Sequence, residues 1–90
     1  MKRPENISKK AQLLKGIGAS SWFEIECEKI GYRIKRYSEN GILECNRLFT
    51  TSEEFNINQE YEFTYVSHCL SCNIIQNNKI ITFTTKEYDD

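Results

Sequence analysis

The sequence predicts an α+β, mainly β fold: a short N-terminal helix packed on a curled antiparallel sheet or small barrel of five to six strands in meander order. Three observations predict it. Apolar residues recur at helical spacing in the first fifteen positions, with Ile7, Ala11 and Leu14 at i, i+4 and i+7. From Ser21 onward the period changes to two. Two turn signals, Asn40-Gly41 and Asn77-Asn78, then divide the alternating stretches into hairpins.

The first element is basic. Lys2, Arg3, Lys9, Lys10 and Lys15 stand against Glu5 alone, so residues 1–15 carry +4 within a chain whose formal charge is −1. Pro4 suits a first helical turn, Ser8 is an alternative N-cap, and Gly16 or Gly18 suits the exit. Residues 1–18 are therefore expected to be a basic helix and its exit. Its lysines read either as a solvated face or as a contact for phosphate or an acidic partner.

Residues 21–30 alternate as a half-buried strand should. Phe23, Ile25 and Cys27 fall on one face, and Glu24, Glu26 and Glu28 on the other with Trp22. Gly31 permits a reversal into residues 32–37, where Arg33, Lys35 and Arg36 supply the charge opposite to the glutamate row. Cross-strand ion pairs of this kind stabilise by roughly 0.2–1 kcal/mol each. The acidic row thus reads as structural before it reads as a cation site.

A two-residue loop at Asn40-Gly41 would place Tyr32 opposite Phe49, Ile34 opposite Arg47 and Arg36 opposite Cys45. Residues 50–60 break the rhythm, with Thr51 or Ser52 able to cap one helical turn at Glu53 and Glu54. Alternation returns at residues 61–68, where Tyr61, Phe63 and Tyr65 share a side. A last hairpin about Asn77-Asn78 sets Ile74 opposite Ile81 and Cys72 opposite Phe83. The polar residues 86–90 are expected to fray. One domain over residues 1–90 accounts for the whole chain, with the sheet spanning 20–85.

Ninety residues with 12 cations and 13 anions lack the strong basic excess of a protein that coats nucleic acid. No uninterrupted apolar run is long enough to cross a bilayer, and no secretory pattern opens the chain, so a cytoplasmic, reducing location is expected. The cysteines are Cys27, Cys45, Cys69 and Cys72, and the single histidine, His68, adjoins the last pair. Cys69-x-x-Cys72 has the spacing of a zinc knuckle. A structural zinc would need further ligands, for which His68, Cys27 and Cys45 are the candidates. Buried thiols, a zinc site and a disulfide or redox pair therefore stay open, with no cofactor expected in the first and third cases.

Catalysis has little to work with. Adjacent strand residues point to opposite faces, so His68 serves Cys69 poorly, and the acids in the body of the chain are all glutamates. The aromatics on the charged side, Trp22 and Tyr37, read either as a stacking platform beside Arg33 and Lys35 or as residues covered by another element.

The segments Gly18-Ala19-Ser20-Ser21-Trp22-Phe23, Tyr32-Arg33-Ile34-Lys35-Arg36-Tyr37 and Ser67-His68-Cys69-Leu70-Ser71-Cys72 resemble a short family of uncharacterised bacterial proteins of the Bacteroidota type. That resemblance implies a bacterial or phage-borne source and assigns no site. The expected function is a non-enzymatic binding module, an accessory or inhibitor protein, that contacts a protein partner through Trp22, Arg33, Lys35, Tyr37, Lys9 and Lys10. One alternative is a zinc-stabilised nucleic-acid-binding module built on Cys69 and Cys72, and another is a thiol redox protein using the same pair. Monomer and homodimer both remain open.

Overall fold

Residues 12–15, expected to end a helix, are a strand. The computed structural model describes residues 2–16 and 18–85, so the tail expected at 86–90 lies outside the described residues. Among the described residues there is no helix, and seven strands follow one another: β1 (Gln12–Lys15), β2 (Ser20–Glu28), β3 (Gly31–Ser38), β4 (Leu43–Thr50), β5 (Glu62–Ser67), β6 (Ser71–Gln76) and β7 (Lys79–Thr85). They form one antiparallel sheet in the order β1-β2-β3-β4-β7-β6-β5 that curls into a nearly closed barrel. The fold is all-β, which corrects the expected helix-and-sheet arrangement. Simple meander order is corrected as well: β1–β4 and β5–β7 each meander, and β4 then pairs with β7 across the 51–61 connection.

The helix fails for a physical reason. An isolated helix of two to three turns is marginal in water, and its stability must come from tertiary packing. Here the apolar residues serve two different surfaces. Leu14 packs against the barrel core, whereas Ile7, Ala11 and Leu13 pack outside the sheet against Trp22 and Tyr37. Pairing of Leu13 with Trp22 and Leu14 with Ser21 gives β1 a ladder of backbone hydrogen bonds as well. Residues 4–11 become an irregular strap across the outer face, turned at Ser8 by the Ala11 N–H donating to the Ser8 carbonyl at 3.1 Å.

The expected hairpin registers largely hold. Asn77 and Asn78 both have positive φ (54° and 63°), and β6 pairs β7 with Cys72 opposite Phe83 and Ile74 opposite Ile81. Tyr32, Ile34 and Arg36 face Phe49, Arg47 and Cys45, as expected. The turn itself differs. Ser38 donates to the Ile42 carbonyl, so the loop is the three residues 39–41, and Gly41 alone takes positive φ (86°). An irregularity beyond Arg36 then sets Tyr37 opposite Leu43 and restores the register. No helical turn forms at residues 51–54; the Thr51 hydroxyl accepts the Glu53 N–H at 3.2 Å in a local turn instead.

The core contains Phe23, Ile25, Ile34, Phe49, Phe63, Cys72, Ile74, Ile81 and Phe83. Tyr32, Phe55 and Phe83 meet edge to face, each ring pair with centroids 5.3–5.4 Å apart. Such contacts add about 0.5–1.5 kcal/mol beyond the area they bury. Phe55, from the 51–61 connection, thereby plugs the barrel end formed by Tyr32 and Phe83.

Candidate functional site

The outer surface of the barrel has two unlike halves. On β2 and β3 the expected charge pairs form. Glu24 lies opposite Lys35 and Glu26 opposite Arg33. Lys35 Nζ sits 4.0 Å from Glu24 and 3.8 Å from Glu26, and Arg33 Nε lies 2.9 Å from Glu28. The Arg33 guanidinium holds the Glu28 carboxyl below its ordinary range. These cations are answered within the sheet, so Arg33 and Lys35 present little unbalanced charge to a partner.

Trp22 and Tyr37 share that face but are not at the surface. Trp22 is 6% exposed and Tyr37 9%, because the strap lays Ile7 and Ala11 over them. The Arg3 guanidinium stands 5.9 Å from the Trp22 ring centroid. Beneath the strap Glu24 is buried, accepting the Tyr37 hydroxyl at 2.9 Å and the Ser8 N–H at 3.0 Å. Burial and the bond to Glu24 push the Tyr37 hydroxyl up to about 12. Of the two readings of Trp22 and Tyr37 the covered one holds: the aromatics are a second small core under the chain's own N-terminal segment, and they form no open platform beside Arg33 and Lys35. Lys9 and Lys10 are exposed on the strap, and Lys10 lines a shallow cleft with Tyr61.

The cysteines part company. Cys45 and Cys69 are joined by a disulfide, with their Cα atoms 6.3 Å apart, which corrects the pairing of Cys69 with Cys72. The β5–β6 turn carries Cys69 toward β4, while Cys72 enters β6 and points into the core, fully buried and free. Burial pushes the Cys72 thiol up to about 12, far from the reactive range. Cys27 was expected on the core face but is exposed at the end of β2. It lines an open cleft of ≈ 880 Å³ with Tyr32, Phe55, Gln76 and Lys79, at the β6–β7 turn end of the barrel. Cys69 and His68 sit at the other end of β6. The five candidate zinc ligands are therefore not brought together, and among the described residues no three His, Cys, Asp or Glu side chains converge as a metal site.

The other half of the surface, the outer face of β5, β6 and β7, is of a different kind. Phe63, Cys72, Ile74, Ile81 and Phe83 point inward, so Ser71, Asn73, Ile75, Ile80, Thr82 and Thr84 point outward. A register shift between Phe63 and Tyr65 turns Tyr65 to the same outer face, opposite Asn73, rather than into the core with Tyr61 and Phe63. Tyr65 is 54% exposed, Ile80 59% and Ile75 37%, with Ile75 and Ile80 directly opposite one another. Glu62 is the one charged residue on this face among the described strand residues. The doublets Ile74-Ile75 and Ile80-Ile81 carried the signal: on a strand, one isoleucine of each must face out. The position of Tyr65 had no such signal, because the sequence does not announce the bulge.

The profile of the DUF6695 C-terminal domain matches residues 11–86. The chain belongs to this family. No curated protein and no solved structure matches it. The matched segment takes in all seven strands, and residues 2–10, most of the strap, precede it. Among the described residues no helix is long and apolar enough to cross a membrane.

Proposed function

We propose that this domain is a non-enzymatic binding module that docks a protein partner through the outer face of β5–β7. One observation carries the reading: Tyr65, Ile75 and Ile80 are exposed together on a three-stranded face whose other outward residues are Ser, Thr and Asn, with Glu62 at its edge. Charged residues make up 28% of the chain, so a face this poor in charge is a departure from the rest of the surface. Interface centres are depleted in charge and enriched in tyrosine and apolar residues in the same way. The non-enzymatic part of the reading is supported by the surroundings of His68, the single histidine of the chain. His68 adjoins a disulfide sulfur, not a thiol, and the neighbouring free thiol is fully buried.

A photo-crosslinking residue placed at Ile80, in cells that make the protein, tests this. A discrete protein adduct is expected there and is lost when Tyr65→Asp is added. The same probe at Ile30, equally exposed but in the β2–β3 turn away from this face, is expected to give none. No adduct from Ile80, or one that survives Tyr65→Asp, overturns the reading.

A further inference from the structure

β4 is tied to the second half of the barrel unevenly. Among the described residues the β4–β7 ladder has two pairs, Phe49 with Thr85 and Thr50 with Thr84, and it does not extend to residues 43–47. One covalent bond spans that gap: Cys45, on β4, is joined to Cys69 in the β5–β6 turn. The Cys69 end is held in an unusual conformation. His68 and Cys69 have φ of 45° and 59°, both in the left-handed region, and the Leu70 N–H donates to the Ser67 carbonyl at 2.7 Å to close the turn. Left-handed backbone disfavours residues that carry a Cβ, and neither residue is the Gly or Asn that such a turn prefers. Three residues on, Cys72 lies fully buried as a free thiol, opposite Phe83.

We propose that the Cys45–Cys69 bond is a reversible thiol–disulfide site, opened by a dithiol reductant, and that opening it loosens the seam between β4 and the β5–β7 half. The step balances as ordinary exchange. One thiolate of the reductant bonds to one of the two sulfurs, and the other sulfur leaves as a thiolate that takes up a proton. The second thiol of the reductant then displaces the mixed disulfide. Two electrons and two protons pass to the protein, and the reductant leaves as its disulfide. With the bond gone, the turn no longer has to hold Cys69 against β4, and residues 43–47 lose their covalent tie to the β5–β6 turn. This inference does not depend on the docking face, and it fails or stands separately from it.

The two free cysteines make the test. Purified full-length chain is treated with iodoacetamide, with and without prior reduction by dithiothreitol, and labelling is followed peptide by peptide. Before reduction the intact mass is two hydrogens below that of the all-thiol chain, Cys27 labels quickly and Cys72 is protected. After reduction Cys45 and Cys69 label, and Cys72 labelling accelerates by about tenfold or more through local opening, while far-UV circular dichroism is unchanged. A Cys45→Ser/Cys69→Ser variant reproduces fast Cys72 labelling without reductant, and Cys27 labels equally in all states. An all-thiol mass before reduction overturns the proposal. So does a Cys72 rate that reduction leaves alone, or one that rises only together with loss of the circular dichroism signal.

Discussion

The side chain of Gln12 joins β1 to Phe63 on β5, the two end strands of the sheet, between which no ladder forms among the described residues. Its Oε1 accepts the Phe63 N–H at 2.8 Å, and its Nε2 donates to the Tyr61 carbonyl at 2.8 Å. A primary amide offers one acceptor and two donors, so a single side chain does here what a pair of backbone groups does elsewhere in the sheet. β1 and β5 are the two ends of the strand order, and this amide turns a curled sheet into a nearly closed barrel.

Replacing Gln12 with Leu should therefore destabilise the domain by about 2–4 kcal/mol, since two part-buried backbone groups are left unpaired at roughly 1–3 kcal/mol each. Gln12→Glu keeps the acceptor for Phe63 and loses the donor to Tyr61, so its loss should be smaller. Urea unfolding curves measure both, and equal midpoints for wild type and Gln12→Leu would show that the seam needs no bridge.

Glu24 holds the strap. Truncation to Ala removes the acceptor of both the Tyr37 hydroxyl and the Ser8 N–H. About 2–3 kcal/mol of stability should be lost. Trp22 is the only tryptophan of the chain and lies under the strap, so its emission should shift to the red in Glu24→Ala. An unchanged emission maximum would mean that the strap holds without the carboxylate.

Gly41 anchors the strap at its other end. Its carbonyl accepts Asn6 Nδ2 at 2.8 Å, its φ is 86°, and an added Cβ would run into Asn6 and Pro4. Gly41→Ala should cost about 1–2 kcal/mol from backbone conformation alone and more from the displaced strap. The variant should also become cleavable by trypsin at Lys9 or Lys10 at lower protease concentration than wild type. Identical digestion profiles would contradict this.

Alkaline pH should weaken the fold through two named groups. Folding raises Tyr37 from 10.0 and Cys72 from 9.0, each to about 12. The folded state therefore holds these protons more tightly than the unfolded chain does. Their contribution is complete below the unfolded values and is lost as pH rises from about 9 toward 12. Urea midpoints should fall across that window, and Cys72→Ala should flatten the part of the fall that begins near pH 9. A flat profile from pH 8 to 11.5 would refute the assignment.

Local geometry made much of this fold readable. Asn77 and Asn78 tolerate the positive φ of a two-residue turn, and the register of β6 on β7 followed without error. At Asn40-Gly41 the register of Tyr32 with Phe49 was also legible, but only because a loop longer by one residue is offset by the irregularity beyond Arg36. The alternation of Phe23 and Ile25 against Glu24 and Glu26 named the inner and outer faces of β2 correctly. It left open whether the outer face would be covered at Trp22, and the strap decides that it is.

What the residues determine by themselves is therefore short in range: turn conformation, strand period, and the pairing of Glu24, Glu26 and Glu28 with cations one strand away. These depend on φ preferences and on neighbours a few positions apart. The tertiary structure alone decided that residues 7–14 divide between two apolar surfaces, that β4 lies beside β7, that Gln12 bridges to Phe63, and that Cys69 meets Cys45 and not Cys72. Each of these is a choice among distant partners, set by which arrangement buries the most apolar surface while leaving the fewest backbone groups unpaired. The basic first segment shows the difference most clearly. Its helical spacing is real in the sequence, but the barrel offered it an open edge at β2 and an uncovered Trp22, and it became a strand and a strap.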